Sequence, residues 1–412
     1  MTVGVPNLFK GIAVVIDNGI GVKEEAITQI LRNIAEKGGH TITMGDVPTA
    51  AIDLEHFSNA AFFVMDWNLL NGEDGKPFPQ GVQIPAALKA DMVKRNIDFL
   101  QRLSRNRHAP VFIFTNEDPS EVIGHLEDAD FYKGAHESHI MVKSKADVLD
   151  KVYEVLEEWG RTKPSVITLK TWERSVNKAA NELFIDLHDK TPYWPVVFWQ
   201  TFTADGVPQA AEMSRLLNRL VESRMGVSEL DLSAFEEALK EQQAADATSY
   251  RESVFSVLEG ERFLRAARLS DDIFAPGDLF AVPNEQTKEI SYYLNIRPEC
   301  DCIRGGDGQE LYLLKVRKVK PAVHPQFGQI MDEQHNEAIV HGMVEGQSYS
   351  VLFKEMKVKK AKQLLKHRVG RLLPPFVTRV QQRYSTYLQR PGLPRIPPSL
   401  IEQVATSGAV PA

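Results

Sequence analysis

Ala60-Ala61-Phe62-Phe63-Val64-Met65-Asp66-Trp67-Asn68 is the stretch on which the reading of this chain turns. Its six apolar residues run without alternation, the pattern of a strand covered on both faces, as in parallel sheets. The run ends on a carboxylate. Beyond it, residues 71–85 hold three Gly and three Pro and must be loop. The same design recurs three times. Asp17 follows Ile12-Ala13-Val14-Val15-Ile16, Thr115 follows Val111-Phe112-Ile113-Phe114, and Lys143 follows Ile140-Met141-Val142. Reaction sites in open α/β sheets collect at the carboxyl ends of parallel strands.

Between these runs lie segments of helical period. Ala26, Ile27, Ile30, Leu31 and Ile34 fall on one face of a stretch near 22–37, which Gly38-Gly39 ends. A short strand near 40–44, a weak helix near 50–57, a long helix near 86–104 and a final helix near 145–159 complete the order, with a variable region at 118–138. The fold class is therefore α/β over residues 1–160, with a five-stranded parallel sheet covered on both faces. A linker near 160–164 leads to a mostly helical middle domain, 165–270. Helices are expected at 170–190, 208–223, 231–244 and 248–269, with the aromatics around Tyr193-Trp194-Pro195 as core. Pro276-Gly277 opens an α+β C-terminal domain, 275–412. Strand-like pieces lie at 289–296, 310–316 and 348–353, a helical pattern at 376–390, and a proline-rich segment at 391–398.

An acid, a second acid, a hydroxyl and an amine at four strand ends suit phosphoryl transfer to a carboxylate. The acceptor carboxylate must lie in line with phosphorus. A divalent cation with hard oxygen ligands bridges it to the phosphoryl oxygens, and fixed donors hold the remaining charge. Asp66 is assigned as acceptor, Asp17 as a ligand of Mg2+, Lys143 as the phosphoryl clamp and Thr115 as the hydroxyl that senses the modification. Asn68 contributes its backbone carbonyl to the cation, with help from Asn18.

Residues 12–160, on these four positions taken in order, resemble the receiver domain of two-component response regulators. The resemblance implies a phosphorylated aspartate at Asp66 and a histidine-kinase-like protein as phosphoryl donor. It also implies slow self-dephosphorylation; the residues of 165–412 themselves show no catalytic effector motif. Three positions depart from the family pattern: Ile16 stands where the first of two adjacent acids is usual, unless Glu73 or Asp74 folds back to compensate; Ser144 replaces proline; Ile140 replaces an aromatic residue. The atypical loops look similar to the response receiver proteins of bacterial anti-phage phosphorelay systems, which implies a phosphate sink or a signalling relay, with a downstream effector as a further partner. The alternatives are a receiver-gated nucleic-acid-binding regulator and a pseudo-receiver scaffold that is never phosphorylated.

Bulk properties narrow the field. The 412 residues carry a formal charge of −7 and are 43% apolar, so nothing global calls for nucleic acid or an anionic membrane. Neither a signal peptide nor a membrane span is expected, and the expected location is cytoplasmic. Cys300 and Cys302 are too close in sequence to pair readily, two alone cannot close a four-ligand zinc site, and no spacing ties them to His324, His335 or His341 as further ligands. Gly305-Gly306-Asp307-Gly308 reads as a hairpin turn rather than a phosphate loop. From 354 to 395 the chain has twelve Lys and Arg against the one acid Glu355. The cluster from Lys354 to Arg371 suits either nucleic acid or an acidic protein surface, and protein contact is the favoured expectation.

Overall fold

The computed structural model describes residues 8–49, 54–57, 59–72, 75–78, 82, 84–106, 109–132, 139–226, 230–258, 262–269, 273–284, 289–304, 308–319, 338–344 and 347–389. Glu73, Asp74, Gly305 to Asp307, His324, His335 and the proline-rich segment 391–398 lie outside them. The chain divides into two compact units, Met1–Trp194 with Arg215–Glu237, and Pro195–Ser214 with Ala238–Ala412.

The first unit is built on strands β1 (Ile12–Ile16), β2 (His40–Met44), β3 (Ala60–Met65), β4 (Val111–Thr115) and β5 (Ile140–Ser144). All pair in parallel, in the order β2-β1-β3-β4-β5. This is the doubly wound, receiver-like order, and it places a topological switch between β1 and β3. Helices α1 (Glu25–Glu36), α2 (Ala86–Asn106), α3 (Pro119–Asp128) and α4 (Val152–Gly160) cover the sheet. Strand alternation divides the apolar residues between two layers. Ala13, Val15, Phe62, Val64, Phe112 and Phe114 pack with Ile27, Ile30 and Ile34 of α1 and with Val152, Leu156 and Trp159 of α4. Val14, Ile16, Phe63, Met65 and Ile113 pack with Phe99, Leu100 and Leu103 of α2 and with Val122 and Leu126 of α3. At roughly 1.5–3 kcal/mol for each fully buried large side chain, these layers supply the main driving force for the unit.

The helical region comprises α5 (Pro164–Lys190), α6 (Trp194–Ala204), α7 (Gln209–Arg224), α8 (Glu236–Ala245) and α9 (Ala247–Leu258). Pro195 does not break α6, because it sits in the first turn, where a missing N–H costs nothing. The expectation that the aromatics here form a core is corrected: Trp172 is 54%, Tyr193 71% and Trp199 49% exposed, and α6 buries no residue. The stretch expected to continue as helix to 269 ends at Leu258 and gives way to a strand.

The second sheet has seven strands: β6 (Phe263–Arg265), β7 (Asp278–Pro283), β8 (Ile290–Asn295), β9 (Glu310–Lys318), β10 (Ala338–Val344), β11 (Gln347–Lys360) and β12 (Arg368–Leu372). Their order is β10-β11-β9-β8-β7-β12-β6, and the pairings between neighbours are antiparallel. The terminal strands β10 and β6 come into contact, so the sheet curls toward closure. A short helix, α10 (Glu299–Ile303), follows β8, and α11 (Phe376–Leu388) lays Val377 and Val380 against Leu294, Leu314, Val351 and Phe353. On the opposite face Phe280, Tyr293, Leu311 and Leu313 pack with Cys302 and Leu364.

Candidate functional site

Register brings the strand tips of the first unit together. Ile16 lies beside Met65, so Asp17 and Asp66 emerge at one level, and the ladder continues through them: the Asp66 N–H donates to the Ile16 carbonyl at 2.8 Å and the Asp17 N–H to Met44 at 2.8 Å. Thr115 sits at the end of the neighbouring strand β4. Asp17, Asp66 and Thr115 are 1%, 5% and 0% exposed.

The amine expected among them, Lys143, lies elsewhere. It pairs laterally with Phe114 on edge strand β5 and lines a separate cavity with Tyr132, Glu158, Trp159 and Thr162. The ammonium that stands between the two carboxylates belongs to Lys145, two residues on, in the 3-10 turn that follows β5. Its Nζ is 2.7 Å from Asp66 Oδ2 and 2.8 Å from Asp17 Oδ2, with Glu24 at 3.9 Å, and the side chain is 1% exposed. In a continued strand the two lysines, two residues apart, would share a face; instead Ser144 ends the strand and the turn that follows carries Lys145 inward. The signal available in the sequence was the Lys-Ser-Lys repeat itself, in which the second lysine, not the first, follows the true strand end.

The remaining donors are shared out locally. Asp17 Oδ1 accepts from the Gly19 N–H at 2.7 Å, and Asp66 Oδ1 accepts from the Asn68 N–H at 3.3 Å. The Glu117 N–H donates to Thr115 Oγ1 at 3.1 Å, while the Glu117 carboxylate accepts from Asn68 Nδ2 at 3.2 Å. Asn18 Nδ2 donates to the Leu70 carbonyl and to Asn71 Oδ1, tying the tip of β1 to the loop after β3. Ile16, read as standing at an acidic position, has its side chain in the α2-side core, fully buried. The neighbour of Asp17 that lines the cleft is Asn18.

A cleft of about 300 Å³ opens over Asp66. Asn18, Glu24, Asn68, Lys89, Asn116 and Glu117 form its polar wall, and Pro77, Phe78, Val82 and Ile84 its apolar wall. Burial pushes the Asp66 carboxyl up to about 7, with the Asp17 charge adding to the rise, while Lys145 and the Asn68 N–H pull it down. Burial also opposes the charge on Lys145, but Asp66 and Asp17 outweigh it and hold the ammonium above its ordinary range. Two acids sharing one ammonium leave this buried cluster with spare oxygen lone pairs. Among the described residues no group of three or more His, Cys, Asp or Glu is arranged to hold a metal ion. The donor set of Asp17, Asp66 and the Asn18 and Asn68 oxygens still fits Mg2+, which uses one or two carboxylates and completes its shell with water and phosphate oxygens.

Two of the cationic residues in the basic C-terminal stretch are structural. Arg371 Nε meets the fully buried Asp278 at 2.6 Å, Arg368 lies 3.7 Å from it, and both guanidinium groups donate to the Ile273 carbonyl. Both thiols are free, Cys300 exposed and Cys302 buried; burial pushes the Cys302 thiol up to about 11. Among the described residues no helix is long and apolar enough to cross a membrane.

No family model and no curated protein matches this chain. Among solved structures, a response regulator receiver protein from Pseudoalteromonas atlantica is similar over 36% of this chain and 97% of its own, at 12% identity and a TM-score of 0.22.

Proposed function

We propose that the first unit is a phosphoacceptor and that Asp66 receives a phosphoryl group from a histidine-kinase-like donor. The observation that carries this reading is the Lys145 ammonium within 2.8 Å of both Asp17 and Asp66 at the tips of adjacent parallel strands, beneath an open cleft. An Asp66 oxygen forms the new bond to phosphorus as the N–P bond of the donor's phosphohistidine breaks, and the imidazole keeps the electron pair. Lys145 takes over a phosphoryl oxygen, and so serves as the clamp for which Lys143 was expected. Thr115 offers its hydroxyl to a second oxygen, at the cost of rearranging the contact with the Glu117 N–H. Asp17, Asp66 and the backbone carbonyl of Asn68, helped by Asn18, would hold Mg2+, which when bound would neutralise the charge developing between phosphoryl group and carboxylate.

The apolar wall of Phe78, Val82 and Ile84 flanks one side of the acceptor carboxylate, and we read the site as a slowly discharging acceptor. That behaviour suits a phosphate sink or a relay, and with the resemblance to anti-phage receiver proteins it supports a place in such a phosphorelay.

The test is transfer from a phosphohistidine-bearing donor in Mg2+. The wild type should acquire a hydroxylamine-labile label and Asp66→Asn none. Lys145→Ala should retain less than about a tenth, because removing one partner from a buried ion cluster is costly, and Lys143→Ala should stay within about twofold of wild type because its side chain lies outside the cluster. A label that persists in Asp66→Asn would refute the assignment.

A further inference from the structure

The face of the second sheet that carries Tyr293 bears an arrangement of cations that its own fold does not explain. Tyr293 is 6% exposed, and two ammonium groups lie over its single ring: Lys357 Nζ at 5.5 Å and Lys359 Nζ at 5.8 Å from the centroid. Lys357 also donates to Tyr293 Oη at 3.4 Å. Both lysines reach from β11 across β9 to β8. They sit two residues apart on one strand face, so their Cα atoms are about 6.6 Å apart. Lys315 on β9 pairs directly with Tyr293, and Arg317 follows two residues later on the same face. Glu355 answers Lys315 at 2.9 Å. One ring quadrupole offsets part of one positive charge, not two, and like charges this close repel. The chain as a whole is acidic, at −7, so the concentration of cations is local.

The complement of this surface is an anion with regularly spaced charges. Lysine is depleted at protein–protein interfaces, which are anchored by an accessible aromatic or apolar centre. Here the central aromatic ring is already covered by the ammonium groups. A phosphodiester backbone needs no such anchor, and its affinity comes from neutralised phosphates. We propose that this face of β8, β9 and β11 binds the backbone of nucleic acid without reading its sequence, through Lys357, Lys359, Lys315 and Arg317.

The test is fluorescence anisotropy with the full-length protein and labelled mixed-sequence 20-mers from 50 to 200 mM NaCl. Binding should weaken with a log–log slope near −3, about four contacts at 0.7–0.9 each, and a permuted sequence should bind within about twofold. The double variant Lys357→Gln/Lys359→Gln should bind at least tenfold more weakly and shed about 1.4–1.8 from the slope. Lys357→Arg/Lys359→Arg should bind as wild type, as should Lys178→Gln on α5 and Asp66→Asn, which separates this surface from the phosphoacceptor. No binding at 50 mM, an unchanged slope in the double Gln variant, or equally potent competition by polyglutamate of matched charge would overturn the proposal; the last would mark the face as a dock for acidic protein.

Discussion

At the scale of single residues, the Asp66 carboxyl is the most informative group. Its proton affinity in the folded chain is raised, from 3.8 to about 7, chiefly by burial. The folded chain therefore keeps a proton that the unfolded chain releases. This contribution to stability is fully present below about pH 4 and is lost as pH rises toward 7. Asp66→Asn, which cannot ionise, should match the wild type near pH 3.5 and exceed it at pH 7.5 by on the order of 2–4 kcal/mol. Urea unfolding at the two pH values measures the difference, and a variant weaker than wild type at pH 7.5 would show that Lys145 outweighs desolvation. Asp17, Asp66 and Thr115 were legible because each closes a continuous apolar run, so the strand end is marked by the first polar residue. Lys145 was not legible by that rule. Strand β5 lies at the sheet edge, and its last two residues, Lys143 and Ser144, are polar while still paired with Phe114 and Thr115. The first polar residue there is not the strand end.

At the scale of elements, the parallel strands were readable because they are apolar on both faces, whereas several antiparallel strands were not. The pieces expected at 289–296, 310–316 and 348–353 correspond to β8, β9 and the first half of β11. β6 has three residues and β12 five, too few for a period to emerge, and β11 runs on to Lys360 through a register shift between Leu352 and Met356 that breaks its alternation. Gly277 marks where such short strands are held. It adopts φ +90, donates to the Asn295 carbonyl at 2.7 Å and accepts from the Leu372 N–H at 2.8 Å, and a Cβ there would collide with the Leu372 carbonyl. Gly277→Ala should cost at least about 2–3 kcal/mol, since both the left-handed backbone and the close approach forbid the methyl group. A change below 0.5 kcal/mol in chemical denaturation would mean that the β7–β12 junction relaxes freely.

At the scale of the whole molecule, each unit has its own apolar clusters, those around β1, β3 and β4 in the first and those around β8, β9 and β11 in the second. Calorimetry should resolve two transitions. Asp66→Asn should move one with pH and Gly277→Ala should lower the other; a single transition shifted by both would show that the two units unfold together. The helical region was legible in its helices but not in its packing, because helical period locates an apolar face without saying what covers it. The two sheets also differ in how they end. Among the described residues β2 and β5 each have a strand neighbour on one side only, whereas β10 and β6 of the second sheet meet each other. Strand-to-strand templating between neighbouring molecules needs a free flank. Under mild heating at high concentration, misassembly should therefore begin from the parallel sheet, with the curled one recruited only after its seam has opened.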